Sequence, residues 1–224
     1  MIDQLEALSS SKKWNDFESI SYNRRQLFAL IIVTGLAYLI TTPPIYSYAV
    51  SNQTVHLPIV KNILDPSYLA ADWYVDSANS FTSPRVFYTR LIALVSQVIG
   101  LPAAVLVIYI SSFVTTVITL WLLIHEIFDD KLVATVAVGI TFGLHFAVIP
   151  VIPDPNLGGN TITSSFLDPD VIANPLILIG LIYVIRSQYR KSFALFGIGT
   201  LFHVINGFWI ALATGLTVAI IEAY

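Results

Sequence analysis

The sequence contains no cysteine, and only 11% of its 224 residues are charged. The absence of cysteine excludes disulfides, thiolate zinc sites, iron–sulfur clusters and a cysteine nucleophile. A soluble domain carries about 25% charged residues, so this composition argues against a soluble fold. The net charge of −3 supplies no basic surface, which excludes nucleic acid as a partner.

Apolar residues, in contrast, make up 56% of the chain, with a mean hydropathy of +0.76. Five apolar runs approach the roughly 20 residues that cross a bilayer, namely residues 27–46, 101–124, 132–150, 169–185 and 193–221. The last run is long for one helix, so we expect either a strongly tilted helix or two short helices separated at Asn206-Gly207. The sequence therefore predicts an all-α fold, a polytopic transmembrane helix bundle of five or six spans.

The segment Val86–Ile99 is apolar but short, and the positive-inside rule decides whether it crosses the membrane. If it stays outside, eight basic residues lie inside and three outside; if it crosses, the balance becomes four inside and seven outside. In the first case the inner residues are Lys12, Lys13, Arg24, Arg25, Lys131, Arg186, Arg190 and Lys191, and the outer ones are Lys61, Arg85 and Arg90. We therefore predict that Val86–Ile99 stays on the outer side.

This orientation gives a cytoplasmic tail at residues 1–26 and a transmembrane domain at 27–224. An outer loop at 49–100 carries short membrane-parallel helices, and a second outer loop occupies 151–168. Residues 27–46 are interpreted as a retained signal anchor. The short loops and the lack of organelle signals favour the cytoplasmic membrane of a prokaryote, with the N-terminus inside.

Three aspartates, Asp65, Asp72 and Asp76, lie among aromatic residues in the first outer loop. Carboxylates just outside a bilayer are suited to accept a proton or to bind a divalent cation such as Mg²⁺ or Mn²⁺. Asp72 is our principal candidate for both roles. The structural alternatives are a turn at Asp65-Pro66, solvated loop acids at the other two positions, and an interfacial anchor at Trp73.

Arg85 and Arg90 are five residues apart, close enough on a helix for both side chains to approach one anion. Guanidinium groups match phosphate oxygens, so the pair suits a pyrophosphate. The alternative is that both extend to lipid headgroups. His56 precedes a short apolar segment that we expect to form an interfacial helix beginning at Pro58, and it is either a phosphate ligand or an interfacial histidine without function.

Asp168-Pro169-Asp170 is typical of a helix start, with Asp168 as the N-cap, Pro169 at the first position and Asp170 favourable to the helix dipole. His145 and His203 fall inside predicted spans, near their outer ends, where either could share a cavity with the first loop. A histidine hydrogen-bonded between helices is the more economical interpretation of each.

Three stretches, "NQTVHLPIVKNILDPSYLAADWYVDS", "SPRVFY" and "LFHVINGFW", together with the order of spans and loops, resemble the GT-C superfamily of membrane glycosyltransferases. The resemblance implies transfer of a sugar from a polyprenyl-phosphate donor by a base in the first outer loop. GT-C enzymes usually place an acid early in that loop, where this chain has Asn52 and Gln53. They also generally have more spans, so the chain is interpreted as a fragment or a reduced relative.

The function expected from these features is glycosyl transfer at the outer membrane face. Asp72, Asp65 and Asp76 are the catalytic candidates, and the substrate-binding candidates are His56, Arg85, Arg90 and His203. One alternative is a non-catalytic scaffold or assembly subunit whose outer loop binds a membrane-protein partner. A small-solute transporter ranks last, because the spans offer few charges for ion coupling.

Overall fold

The structure is a computed structural model that describes residues 47–79, 83–148 and 166–223, with only the helical backbone described at 143–148. These ranges contain eight α-helices and no strand, as the all-α prediction requires. The helices are α1 (Gln53–Leu64), α2 (Trp73–Asn79), α3 (Val86–Ile99), α4 (Leu101–Phe128), α5 (Lys131–Val148), α6 (Pro169–Ile185), α7 (Tyr189–Phe202) and α8 (Val204–Ala223). The predicted tail at 1–26, the span at 27–46 and most of the second outer loop lie outside the described residues.

Two helices have the bounds that their sequence punctuation predicts. Helix α6 begins at Pro169 after an extended Asp168, with φ −128° and ψ 161°. Helix α3 ends at Ile99 because Gly100 adopts φ 81°, and α4 begins at the next residue. Helix α4 has 28 residues, which corresponds to a length of about 42 Å.

Two details of the sequence interpretation are wrong. Helix α1 begins at Gln53 and includes Pro58, rather than beginning there. The turn before it supplies carbonyl acceptors for the Gln53 and Thr54 N–H groups, and a proline at this depth removes only the bond to the Thr54 carbonyl. The helix therefore starts five residues earlier than predicted.

The break in the apolar run 193–221 lies at His203, with φ −136° and ψ 96°, and not at Asn206-Gly207. Gly207 has a different use, because a Cβ there would lie 2.5 Å from the backbone nitrogen of Thr200. The glycine allows close packing of α7 and α8 after the break, so this run forms two helices.

Two apolar clusters hold the helices together. The larger cluster joins α1, α3, α4 and α6 and includes Leu57, Tyr88, Ile92, Val105, Tyr109, Leu167 and Val171. The smaller one joins α4 to α5 around Trp121, Val138 and Phe142. The larger cluster thus packs α1 and α3 against the N-terminal halves of α4 and α6.

Helices α4 and α6 run in the same direction, because they meet at both ends. Their N-terminal halves share the larger cluster. At their C-terminal ends Arg186 pairs with Glu126, with 2.7 Å between Nη2 and Oε2. The N-termini of α4 and α6 consequently lie at the same end of the bundle as α1 and α3.

By length and composition, two described helices, α4 and α8, could each cross a membrane. Only 11% of the apolar window of α8 is buried within the protein. Its exposed large side chains follow helical spacing and include Ile205, Phe208, Trp209, Leu212, Leu216 and Ile220. The chain therefore presents an apolar helix surface that suits contact with lipid.

Candidate functional site

A cavity of about 520 Å³ opens where the N-termini of four helices meet. We call it the polar cavity; its polar lining residues are Asn52, His56, Arg85, Asp168, Asp170 and His203. Each lies at a cap, in the first turn or immediately before the first residue of α1, α3, α6 or α8. Because each helix N-terminus carries a partial positive charge, this arrangement favours negative groups in the polar cavity.

Asp168 reaches α1 and the N-cap of α1 through both of its carboxylate oxygens. Its Oδ2 accepts a 2.9 Å hydrogen bond from Asn52 Nδ2, and its Oδ1 lies 3.8 Å from His56 Nε2. It occupies the N-cap position of α6, but its side chain makes no capping hydrogen bond. Burial raises its pKa, while the Asn52 bond and His203 act in the opposite direction. The position is therefore the predicted one, but the side chain is directed at α1 rather than at its own helix.

His56 is 5% exposed, and its ring meets the Tyr88 ring edge-on at 5.0 Å. Burial, and secondarily the charge of Arg85, lower its pKa from 6.5 to about 4. The ring is therefore neutral at pH 7 and does not form an ion pair with Asp168 there. A separation of 3.8 Å is also too long for a hydrogen bond. Within the described residues its buried Nδ1 has no hydrogen-bond partner.

Arg85 lines the polar cavity, whereas Arg90 does not. The Arg85 guanidinium lies 6.0 Å from the centre of the Tyr74 ring, and none of the described carboxylates is within ion-pair distance of it. Arg90 is exposed on α3; five residues rotate a helix by about 500°, which turns the two side chains to different faces. The structure thus brings one arginine of the predicted pair to the cavity.

The three predicted catalytic aspartates lie outside the polar cavity. Asp72 Oδ1 accepts the N–H groups of Tyr74 and Val75 at 2.9 and 3.0 Å, as the N-cap of α2. Asp65 Oδ1 accepts the hydroxyl and the N–H of Ser67 at 2.6 and 3.0 Å, and the hydroxyl bond is the larger cause of its lowered pKa. Asp76 is exposed in the first turn of α2.

The predicted cation site at Asp72 has little support from its surroundings. No group of three His, Asp or Glu side chains within the described ranges is arranged to hold a metal ion. One oxygen of Asp72 is also already engaged by two backbone N–H groups. Mg²⁺ or Mn²⁺ at Asp72 therefore remains a prediction from sequence alone.

Of the two predicted intramembrane histidines, His203 lines the polar cavity. Its Nδ1 accepts the backbone N–H of Asn206 at 3.2 Å, so a neutral His203 carries its proton on Nε2. The bond is made to the first turn of α8, the next helix along the chain. His145 lies on α5, and its side chain is outside the described part.

Sequence reasoning missed Asn52 and treated Asp168 and Asp170 only as a helix start. Asp170 is buried and accepts the Val171 N–H at 2.8 Å. The helix dipole already accounts for an acid at this position, so the sequence contained no separate signal that Asp170 lines a cavity. The contact from Asn52 to Asp168 spans 116 positions, and a single sequence gives no indication of such a contact.

The three stretches that carry the GT-C resemblance all contribute to the polar cavity. The first supplies Asn52 and His56, the second Pro84 and Arg85, and the third the segment from Phe202 to Ile205. No protein-family model, no curated protein and no solved structure matches the chain.

Proposed function

We propose that the chain is a GT-C-like membrane protein that binds a polyprenyl-phosphate-linked sugar in the polar cavity and transfers the sugar to an acceptor. It would be a bundle of five or six spans in the cytoplasmic membrane of a prokaryote, with the cavity on the outer side. The observation that carries this proposal is the combination of Arg85, which lacks a carboxylate partner among the described residues, with two carboxylates at the N-terminus of α6.

Arg85 is the residue suited to the phosphate of the donor. Its planar guanidinium presents a fork of donors that matches phosphate oxygens. The N-terminus of α3, where Arg85 is the N-cap, adds a partial positive charge to the same position. A phosphate bound there would balance a cation that the described carboxylates leave unpaired.

Asp168 is the residue suited to the role of base. As the acceptor hydroxyl attacks the anomeric carbon, its proton passes to Asp168, the new glycosidic bond forms, and the bond to the phosphate oxygen breaks. The leaving phosphate keeps the electron pair of that bond and remains at Arg85. Burial raises the pKa of Asp168, which makes its carboxylate a stronger base than an exposed one.

Neutral histidines and an amide suit the hydroxyl groups of a sugar. At pH 7 His56 is neutral, and its Nε2, 3.8 Å from Asp168 Oδ1, donates or accepts according to the tautomer. His203 offers an Nε2–H, since its Nδ1 is engaged by Asn206. Together with Asp170, these groups supply both donors and acceptors without adding net positive charge.

The surface of α8 suits the polyprenyl chain. Val204 and Ile205 belong to the rim of the polar cavity, and exposed apolar residues continue from there along α8 through Phe208, Trp209 and Leu212. A lipid whose phosphate lies at Arg85 would meet an apolar path starting at the same point. This continuity favours a lipid-linked donor over a soluble one.

The test is binding and transfer by the purified full chain in detergent, with a panel of polyprenyl-phosphate sugars. We expect Arg85→Ala to weaken binding at least about tenfold, the effect of losing a charge-assisted hydrogen bond, while Arg90→Ala remains within about twofold of the wild type. Equal loss in both variants would favour joint binding by the predicted arginine pair over binding in the polar cavity, and no binding by folded wild type would refute the proposal.

The second arm of the test locates the base. Transfer is measured with and without Mg²⁺ or Mn²⁺ for Asp168→Asn and for Asp72→Asn. We expect the Asp168 variant to bind donor but to lose transfer, and the Asp72 variant to retain it. The reverse pattern would return the catalytic role to the first outer loop.

A further inference from the structure

The carbonyl group of Leu167 accepts two side-chain hydrogen bonds from two different helices. Tyr88 on α3 donates its hydroxyl at 2.9 Å, and Gln53 on α1 donates Nε2 at 3.3 Å. All three residues are fully buried. The other end of the Gln53 amide accepts the Ala49 N–H at 2.7 Å, which fixes its orientation. We call this group of Gln53, Tyr88 and the Leu167 carbonyl the carbonyl clamp.

The carbonyl clamp has a direct geometric link to Asp168. Leu167 C=O and Asp168 N–H belong to the same planar peptide unit, and the Asp168 Cα lies in that plane. Holding the oxygen from two sides therefore fixes the point from which the Asp168 side chain extends. The Leu167 side chain is anchored as well, since it is buried in the larger apolar cluster.

Tyr88 also contacts His56, the cavity residue that lies next to Asp168. Its ring lies against the His56 ring at 5.0 Å, with an angle of 65° between the planes. One side chain thus touches His56 through its ring and the peptide before Asp168 through its hydroxyl. Tyr88 itself does not line the polar cavity, and these two contacts connect it to residues that do.

We infer that Tyr88 and Gln53 are positioning residues that set the geometry of His56 and Asp168 for a sugar hydroxyl. This inference rests on the proposed function, in which Asp168 faces the sugar and Arg85 the phosphate. Loss of the Tyr88 hydroxyl displaces Asp168 and leaves Arg85 in place. Recognition of the sugar should therefore suffer more than recognition of the phosphate.

The experiment compares Tyr88→Phe with wild type in binding two probes, a polyprenyl phosphate without sugar and a polyprenyl-phosphate sugar. Phenylalanine keeps the ring contact with His56 and removes only the hydroxyl. We expect sugar-lipid affinity to fall about tenfold, the scale of one buried hydrogen bond, and affinity for the bare lipid phosphate to change less than about twofold. Tyr109→Phe, which removes a hydroxyl from the same apolar cluster but outside the carbonyl clamp, should change neither.

An unchanged ratio of the two affinities in Tyr88→Phe would overturn the inference, whether both affinities fall together or neither falls. A second readout needs no ligand, namely the ring-nitrogen resonances of His56 in histidine-labelled protein, assigned by their loss in His56→Asn. We expect these resonances to shift in Tyr88→Phe and to stay in Tyr109→Phe. If wild type binds neither probe, the proposed function fails. The His56 resonances then test the inference alone: a shift in Tyr88→Phe supports positioning by Tyr88, and no shift refutes it.

Discussion

The charged groups at the two ends of α6 differ in how they are paired. At its C-terminal end, Arg186 donates to Glu126 through two parallel bonds of 3.0 and 2.7 Å. At its N-terminal end, Asp168 and Asp170 share a cavity with Arg85, which has no carboxylate partner within the described chain. Arg186 and Glu126 thus balance each other in charge and form a bidentate pair, which we call the matched end of α6. The cavity residues have two carboxylates for one arginine and form no such pair, and we call theirs the unmatched end.

This difference separates a structural use of charge from a functional one. A bidentate pair neutralises both charges and fixes α4 against α6. Charged groups in a cleft that lack a partner of opposite charge are candidates for ligand binding. The unmatched end of α6 is therefore where we place the function, and the matched end provides the reference for testing it.

The largest expected effect comes from breaking the matched pair. Arg186→Ala leaves Glu126, whose side chain is 27% exposed, without its partner, and we expect the free energy of unfolding to fall by about 3 kcal/mol, the lower end of the range for a buried pair. Unfolding of the full chain in mixed detergent micelles measures this change. The double variant Arg186→Met with Glu126→Leu should recover much of the loss, because it removes both charges; a single-variant cost below about 1 kcal/mol would mean that the pair is effectively solvated.

The contrast between the two ends also explains which parts of the fold the sequence could predict. Helix α6 has the predicted bounds because Asp168-Pro169 is a local signal, and α3 ends where predicted because Gly100 terminates it. The predicted starting point of α1 was wrong because one missing hydrogen bond at Pro58 costs less than the helix gains. The predicted break near Gly207 was wrong because the glycine there serves helix packing, which a single sequence does not reveal.

The site was less predictable than the fold for the same reason. Asp72 and Asp65 stand out in the sequence as acids among aromatics, but nearby N–H and hydroxyl groups engage both. Asp168 reads as a cap, yet its hydrogen-bond partner is Asn52, more than a hundred positions away. Only His56, Arg85 and His203 among the predicted site residues line the polar cavity, because chain folding, not local sequence, brings them together.

The second prediction is an acid-dependent loss of stability that arises from His56. Its pKa is about 4 in the folded protein and 6.5 in an unfolded chain, so protonation favours unfolding. Titration of His56 leaves the free energy of unfolding unchanged above pH 6.5 and lowers it by about 3 kcal/mol in total as the pH falls towards 4. Arg85 and Asp168 face the same ring. Titration of Asp168 has the opposite effect on stability, because its raised pKa favours the folded state in acid.

The measurement is the free energy of unfolding from pH 7.5 to 4.5 for wild type and His56→Asn. We expect the wild type to lose stability relative to the variant as the pH falls through this window. Parallel curves would mean that His56 is solvated in both states, contrary to its burial. The His125→Asn variant, at the other end of the molecule, is the control for the histidine-to-asparagine change itself.

The third prediction applies one chemical change to both ends. Glu126→Gln weakens a matched pair and should cost about 2 kcal/mol of stability. Asp168→Asn removes a carboxylate whose burial raises its pKa, keeps an oxygen for Asn52, and should leave stability unchanged or raise it by up to about 1 kcal/mol at pH 8. If both variants lost stability equally, the carboxylates would have the same structural role and the comparison would fail.

The smallest expected effect is at Asp72, the acid that the sequence favoured most. Asp72→Ala removes the cap of α2 and should cost about 1 kcal/mol, whereas Asn caps as well as Asp and should cost almost nothing. Sugar transfer by Asp72→Asn should equal that of wild type, measured beside Asp168→Asn in the same preparation. A cap tolerates the change from carboxylate to amide and a base does not, so this substitution distinguishes the two roles of Asp72 without disturbing the fold.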